Sequence, residues 1–196
     1  MIRMITSGES HGPSLTVIVE GLPAGICIDS RRIESDLHRR QHGYGRGDRM
    51  KIEKDHAVIT SGVRHGYSLG SPITLQIENR DWLNWQQEMC SEPVKGFISS
   101  KSVFYPRPGH ADLPGHQKYG HTDLRNILER ASARETTARV AVGGLLKCLL
   151  ESFSIRLASH TIRIGKIEAA SYSFTDRDCQ RILRMDSSPL RCLDGV

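Results

Sequence analysis

The sequence of 196 residues predicts an α+β fold formed by a single domain, in which antiparallel strand pairs pack against a long helix. Short segments in which apolar and polar residues alternate predict strands with one buried face. A later segment, residues 123–153, repeats apolar residues at helical spacing. The sequence contains no internal repeat and no low-complexity linker, so we treat residues 1–196 as one domain.

The first part of the chain predicts a strand, a turn and a helix. Residues 15–20 (LTVIVE) alternate as a strand does, and the GLPAG that follows is typical of a turn. Asp29 or Ser30 is the predicted N-cap of a short helix, because Ile33 and Leu37 then share one helical face. The next segment, QHGYGRGD, has three glycines in eight residues and predicts a loop.

The middle of the chain predicts two paired strands and then a long irregular segment. Residues 57–63 and 71–78 predict strands joined by the RHGYSLG turn, and the ITLQIE of the second strand alternates clearly. Residues 79–122 have no clear period and contain several prolines and glycines. An irregular segment of this length is unusual in a compact domain unless it is functional.

The last part of the chain predicts a long helix and two smaller elements. Asp123 is the predicted cap of one helix that runs to about residue 153, and its many small residues predict a closely packed side. Residues 154–168 predict a strand or a hairpin. Thr175 and Asp178 predict a capping box for a short final helix.

Composition excludes several classes of protein. No apolar stretch approaches the roughly 18 residues of a membrane span, and the start of the chain lacks the apolar run of a secretory signal. We therefore expect a cytoplasmic protein that does not associate with membranes. Five scattered cysteines with no CxxC pair argue against a disulfide framework and against a zinc site, so no metal is expected.

The net charge of +5 and the pI near 9.1 indicate an anionic partner. Basic residues concentrate in residues 31–51 and 125–139, where they alternate with acidic residues and glycines. Single-stranded nucleic acid is bound on aromatic platforms beside a basic groove, and aromatic residues make up only 6% of this chain. The distribution favours a small polyanion over nucleic acid.

Two glycine-rich motifs near the start carry residues suited to chemistry. GESHG brackets His11 with glycines, which permit close approach of a ligand to the backbone, and imidazole transfers protons near neutral pH. RRQHGYGRGDR places arginines between glycines, as a loop that wraps an anion would. Each motif also has a plain structural interpretation, namely a histidine in a tight turn and a solvated basic loop.

Two further motifs lie in the second half of the chain. RPGHAD fixes the backbone with a proline before His110, and Asp112 is placed either to orient that histidine or to form a turn. RASARETTAR places Arg130 and Arg134 four residues apart on one face of a helix. Either a bound anion or nearby acidic residues such as Glu129 would satisfy these arginines.

Taken together, the motifs resemble one known family. GESHGP, RRQHGYGRGDRMKIEKD, SGVRHGYSLGSPITLQIENRD, RPGHADLPGHQKYGHTDLRN and LERASARETTARVAVG are similar to consecutive signature stretches of the chorismate synthase family, in the family's order and spacing. The resemblance covers nearly the whole chain. Family members continue well beyond Val196, so we expect the chain to correspond to the N-terminal portion of the family's fold.

The resemblance implies a reaction. Chorismate synthases convert 5-enolpyruvylshikimate 3-phosphate to chorismate by anti-1,4 elimination of phosphate and require reduced FMN. By this resemblance His11 is the expected proton donor to the departing phosphate, and His110 is the expected acid that protonates the reduced flavin. The resemblance leaves open whether NADPH or an external reductant supplies the reduced flavin.

The resemblance also implies binding residues and an architecture. The expected substrate-binding residues are Ser10, Arg40, Arg46, Arg49, Arg107 and Arg134. The expected FMN-binding residues are Arg40, Arg46, Arg130, Ala131 and Ser132. The family fold is a layered β-α-β arrangement that assembles as a homotetramer, here incomplete at the C-terminus. The alternative hypothesis is a truncated chain that binds FMN or substrate without turnover.

Overall fold

The computed structural model describes residues 1–47, 49–170, 172, 175 and 178–193. It contains both helices and sheets, which confirms the predicted α+β class. The strands are β1 (Arg3–Ser7), β2 (Ser14–Glu20), β3 (Ala57–Ser61), β4 (Val63–Arg64), β5 (Tyr67–Ser68), β6 (Ile73–Glu78), β7 (Arg163–Ile164) and β8 (Ile167–Glu168). The helices are α1 (Ser30–Gln41), α2 (Arg49–Ile52), α3 (Asp112–Tyr119), α4 (Arg125–Ala131), α5 (Thr136–Ser152) and α6 (Cys179–Ser187).

The main sheet is antiparallel, with the strand order β1-β2-β6-β3. Its two central strands alternate buried and accessible residues, as the sequence predicted for β2 and β6. Val17 of β2 lies opposite Leu75 of β6, and both are completely buried. Since side chains alternate across a strand, the apolar residues of both strands form one inner face.

Helix α5 packs on that inner face and α1 packs against α5, and together they complete the core. Asp29 caps α1 by accepting a hydrogen bond from the backbone N–H of Arg31 at 3.0 Å, which confirms one of the two predicted caps. Ile33 and Leu37 of α1 are buried, as their spacing predicted. Gly144 of α5 packs directly against the backbone of α1, so the two helices approach closely.

The prediction of one continuous helix over residues 123–153 is wrong. Helix α4 ends at Ala131, Ser132 is extended with φ −61° and ψ 147°, and a 3₁₀ turn over Ala133–Glu135 leads into α5. The Ser132 hydroxyl accepts a hydrogen bond from the N–H of Arg134 at 3.3 Å and so caps that turn. The break separates the side chains of α4 from those of α5, and both sets reach the candidate site.

The prediction that residues 79–122 have no regular structure is wrong in part. A 3₁₀ turn spans Arg80–Asn84, and α3 lies within this segment despite its proline and glycine. Gly115 of α3 lies against Ile127 of α4, where a Cβ would collide with the isoleucine side chain. The glycine therefore allows α3 to pack on α4. The sequence reading also missed β1 and α2, which are short.

The C-terminal elements follow the predictions more closely. Strands β7 and β8 form the hairpin predicted within residues 154–168. Helix α6 follows Asp178, whose carboxylate accepts hydrogen bonds from the backbone N–H and the hydroxyl of Thr175, both at 2.7 Å. Thr175 and Asp178 therefore interact as predicted, but Asp178 itself occupies the N-cap, so only half of the capping box forms.

Candidate active site

His11 lies in the turn between β1 and β2, where Glu129 of α4 holds it from two sides. The backbone N–H of His11 donates to Glu129 Oε2 at 2.8 Å, and His11 Nδ1 lies 2.9 Å from both carboxylate oxygens. Burial alone would raise the pKa of Glu129, but the hydrogen bonds and charge of His11 outweigh it and lower that pKa. An ionised Glu129 accepts from an Nδ1–H group, so the carboxylate fixes the tautomer and the orientation of the ring.

An aromatic ring also covers the His11 imidazole. Trp85 stacks on it with the ring centroids 3.8 Å apart, and the ammonium of Lys101 lies 4.0 Å from the centroid of Trp85. Asp81 Oδ2 lies 3.8 Å from His11 Nε2. The residues after β6, which the sequence left irregular, therefore form one wall around His11.

Ser10, Arg49 and Ser132 meet beside His11. Arg49 Nη1 donates to Ser10 Oγ at 2.6 Å and lies 3.3 Å from His11 Nε2. Ser10 Oγ donates in turn to Ser132 Oγ at 2.9 Å, and Arg49 Nη2 donates to the backbone carbonyl of Ser10. Four of the predicted site residues, from β1–β2, α2 and the α4–α5 break, are therefore in direct contact.

Arg134 is the predicted substrate-binding residue whose placement argues against direct contact with a ligand. It is only 3% exposed. Its Nε donates to Asn79 Oδ1 at 2.8 Å, Nη1 donates to Asp55, and Nη2 donates to the carbonyl of Glu78 at 3.1 Å and lies 3.4 Å from Glu53. The Arg134 guanidinium therefore binds acceptors of the protein itself, in the interior of the fold.

Arg40 lies near the end of α1, and Arg46 lies in the glycine-rich loop that follows α1. Arg40 Nη1 donates to Asp55 Oδ2 at 3.0 Å, and Arg40 Nη2 donates to the carbonyl of Ala133 at 3.1 Å. Burial lowers the pKa of Arg40, with Asp55 opposing the shift and the charges of Arg134 and Arg46 reinforcing it. Arg46 is exposed, and its Nε donates to the carbonyl of residue 42 at 3.4 Å.

Arg130 and Ala131 end α4 beside β1. Arg130 Nη2 donates to the carbonyl of Thr6 at 2.9 Å, and Nη1 donates to that of Gly8 at 3.3 Å. Its side chain is 42% exposed, and Ala131 is exposed too. These contacts fasten α4 to the strand that leads into the His11 turn.

Arg107 and His110 form a separate cluster around Asp112 at the start of α3. The buried Asp112 carboxylate accepts from the backbone N–H of Arg107 at 2.9 Å, from Arg107 Nε at 3.2 Å, and from His110 Nδ1. Burial raises the pKa of Asp112, but its hydrogen bonds to Arg107 and His110 outweigh burial and lower it. Among the described residues, the hydrogen bonds of this cluster do not reach the His11 group; the two are connected through the packing of α3 on α4.

Sequence reasoning missed several residues that organise the site. Glu53, Asp55 and Asn79 bind the predicted arginines, and Trp85 covers His11. In the structure, residues 53–58 alternate buried and exposed positions on the way into β3, so Glu53 and Asp55 are buried together with Ala57. Charged residues occupy both sets of positions before β3, so the amino-acid pattern carries no signal of this burial.

Other classes of site find no support in the described part of the chain. None of its histidine, cysteine and acidic side chains form a group of three or more that could hold a metal ion. No described helix is both long and apolar enough to cross a membrane.

Comparison with known proteins agrees with the arrangement of these motifs. The family model described as "Chorismate synthase" matches residues 2–195. The chain belongs to the chorismate synthase family. It is 53% identical over 195 residues to a chorismate synthase of Geobacillus sp. (strain WCH70) and 55% identical over 195 residues to one of Enterococcus faecalis (strain ATCC 700802 / V583). Each match covers 98% of this chain and 50% of the relative.

A solved family structure, titled "Crystal Structure of Chorismate Synthase", is similar with a TM-score of 0.72 and 40% sequence identity. The similarity covers 98% of this chain and 49% of that one. This match supports the family fold expected from the resemblance. The chain spans about half the length of the family members it matches.

Proposed function

We propose that this chain supplies part of the active site of a chorismate synthase, which eliminates phosphate from 5-enolpyruvylshikimate 3-phosphate with reduced FMN. The observation that carries the proposal is the placement of the His11 ring, with Nδ1 2.9 Å from Glu129 and Nε2 3.3 Å from Arg49. An oriented imidazole beside a guanidinium suits a reaction in which phosphate leaves and takes up a proton.

His11 would hold the proton for the departing phosphate at Nε2, because Nδ1 is engaged by Glu129. The lowered pKa of Glu129 keeps its carboxylate ionised near neutral pH, so it remains an acceptor for His11 Nδ1 and holds the ring in place. Trp85 covers one face of the ring and limits access of water to it. The chain thus supplies a proton donor with a fixed direction.

The arginines would bind the three anionic groups of the substrate, one phosphate and two carboxylates. Arg49 is the arginine best placed to bind an anion next to His11. Its Nη1 group donates to Ser10 and lies beside His11 Nε2, so an anionic oxygen at this position would compete with Ser10 for that donor. Arg46 and Arg107 are the more exposed candidates, and Arg40 lies between these and the interior. For Arg134 we propose an indirect role, because its N–H groups face buried protein acceptors.

The residues expected to hold FMN fit an anionic cofactor by their donor chemistry. Arg46 is exposed and Arg130 is partly exposed, and the hydroxyl of Ser132 lies within the cluster around Ser10. The proposed FMN-binding set is therefore Arg40, Arg46, Arg130, Ala131 and Ser132. Reduced FMN, when bound, supplies transient electron donation as the C–O bond of the substrate breaks.

His110 would carry the second proton. Its Nδ1 is engaged by the buried Asp112, so its other ring nitrogen is the atom available to hold a proton for the flavin side of the site. Arg107 shares Asp112 with His110, which keeps a cation next to this acid. The proposal therefore gives each histidine its own carboxylate.

Four finer properties are also proposed. We propose that the protein acts as a homotetramer, that it is cytoplasmic, and that it binds neither nucleic acid nor membranes. NADPH and an external reductant are both proposed sources of the reduced flavin. Gel filtration with light scattering tests the first, and flavin reduction by NADPH under anaerobic conditions tests the last.

The half-length match supports a second candidate function. In this alternative the chain binds FMN or the substrate without turning it over. Titration of the chain with FMN and with 5-enolpyruvylshikimate 3-phosphate, beside an assay for chorismate, separates the two candidates. Saturable binding with no chorismate formed would favour the alternative.

The test of the first candidate is phosphate release by a full-length version of the protein, with and without reduced FMN under anaerobic conditions. We expect release only with reduced FMN, and we expect His11→Ala and His110→Ala each to lower the rate by about 10²–10⁴-fold. His65→Asn is the matched control, because His65 is exposed in a turn with φ 51°, a conformation that asparagine adopts readily. Unchanged rates in both alanine variants would remove the roles proposed for the two histidines.

A further inference from the structure

Three of the site arginines are joined by two carboxylates into one line of alternating charge, which we call the charge chain: Arg49, Glu53, Arg134, Asp55 and Arg40. Glu53 Oε1 lies 3.1 Å from Arg49 Nη2, and Glu53 Oε2 lies 3.4 Å from Arg134 Nη2. Asp55 binds Arg134 through Oδ1 and Arg40 through Oδ2, the latter at 3.0 Å. Each carboxylate therefore uses one oxygen for each of its two arginines.

The charge chain is most deeply buried at its centre. The side chains of Glu53 and Asp55 have no exposed area, and that of Arg134 is 2% exposed, whereas Arg40 and Arg49 at the ends are 11% and 21% exposed. Three cations and two anions leave a net charge of +1. Burying this many charges costs free energy that apolar residues would not cost, so a role beyond stability is the simpler explanation.

Further hydrogen bonds hold the Glu53 carboxylate and the backbone of both acids in place. Glu53 Oε2 also accepts a hydrogen bond from the backbone N–H of Arg80 at 2.9 Å. The side chain of Gln41 donates to the carbonyl of Glu53 at 2.8 Å and accepts from the N–H of Asp55 at 3.2 Å. The backbone of both acids is therefore fixed to the end of α1, and the Glu53 carboxylate is also fixed to the residues that follow β6.

We propose that Glu53 and Asp55 are positioning residues that set the direction of Arg49 beside His11 and of Arg40 beside Arg46, with Arg134 as the link between them. The inference rests on the proposed function, in which these guanidinium groups receive an anionic substrate. In this proposal Glu53 orients Arg49 and Arg134, and Asp55 orients Arg134 and Arg40. Each acid can therefore be tested separately.

The first test does not need a substrate. In the full chain, ¹⁵N NMR of arginine Nε–Hε groups should give slowly exchanging, dispersed signals for Arg40, Arg49 and Arg134. Glu53→Gln should broaden or shift those of Arg49 and Arg134 and spare that of Arg40. Asp55→Asn should disturb Arg134 and Arg40 and spare Arg49. Uniform disturbance of all three signals, or averaged signals in the unchanged chain, would overturn the proposal.

The second test separates orientation from charge by comparing two anions. Calorimetric titration uses 5-enolpyruvylshikimate 3-phosphate and inorganic phosphate with the unchanged chain and with each variant. Positioning predicts that Glu53→Gln weakens substrate binding roughly tenfold while phosphate binding changes less than about twofold. Tighter binding of both anions would mean that charge alone matters, and equal weakening of both would mean general loosening; either result contradicts the proposal.

Asp36→Asn is the matched control for both tests. Asp36 is also a mostly buried carboxylate paired with a cation, Lys147 Nζ at 2.8 Å, but it lies outside the charge chain. We expect this variant to leave the three arginine signals and both affinities unchanged. If the unchanged chain binds no substrate, the proposed function fails, while the pattern of arginine signals still decides whether Glu53 and Asp55 act as proposed.

Discussion

Two adjacent glycines of α5 should respond in opposite ways to replacement by alanine. A Cβ on Gly144 would lie 2.7 Å from Ile33 Cα and 3.3 Å from Ile33 N, so α1 and α5 must separate. Gly143 is exposed, and a Cβ there meets no described atom within 4 Å. Alanine in place of glycine stabilises a helix by about 0.5–1 kcal/mol, and this gain is common to both variants. Overpacking at Gly144 costs about 1–3 kcal/mol.

The difference between Gly144→Ala and Gly143→Ala therefore isolates the collision between the helices. We expect the free energy of unfolding of Gly143→Ala to exceed that of Gly144→Ala by about 1–3 kcal/mol. Urea unfolding of the full chain, followed by far-ultraviolet circular dichroism with the m-value checked for constancy, measures both. Equal stability of the two variants would refute the reasoning, because it would mean that the helices do not meet at Gly144.

Three further outcomes follow from the site. Glu129 has a lowered pKa, so its ionised form stabilises the fold above the ordinary glutamate value of about 4.3, and this contribution is lost as the pH falls below that value. In urea unfolding between pH 3 and 7, the free energy of unfolding of Glu129→Gln should therefore fall less steeply with decreasing pH than that of the unchanged chain. An equally steep fall in both proteins would argue against the contact with His11. Asp112→Ala leaves two bonded side chains without their buried acceptor, and we expect about 1–3 kcal/mol of destabilisation in the same assay. Gly8 has φ 97°, and a Cβ there would strike the carbonyl of Ser14. Gly8→Ala should therefore destabilise the chain and displace the His11 ring, which would shift the imidazole NMR signal of His11. An imidazole signal at the position found in the unchanged chain would contradict this.

Locally determined elements could be predicted from the sequence, and elements that depend on distant partners could not. The N-cap and buried face of α1 follow from Asp29, Ile33 and Leu37, which lie within nine residues of one another. Strand β1 has no buried alternation of its own and is defined by its pairing with β2. Helix α3 contains glycine at a position that only its contact with Ile127 explains.

The candidate site shows the same division. The histidines and arginines stood out because they are unusual in glycine-rich loops, and of the predicted arginines Arg49 does lie beside His11. The acids that orient them did not stand out, because Glu53 and Asp55 sit in a short run of charges that gives no sign of burial. The burial of Arg134 could not be predicted either, since a buried guanidinium and an exposed one look identical in sequence.

Ser132 is the extended residue between α4 and α5, and the number of residues around it matters more for the geometry of the site than which residues they are. Glu129 must point at His11 while Arg134, five residues later, must point into the interior. Adding or deleting a residue of α4 between Glu129 and Ala131 would rotate the end of α4 by about 100° about its axis and so redirect the segment after it, because a helix advances by that angle per residue. Ala133, which is exposed, would tolerate many side chains, whereas an inserted residue would displace Ser132 and Arg134 relative to Glu129.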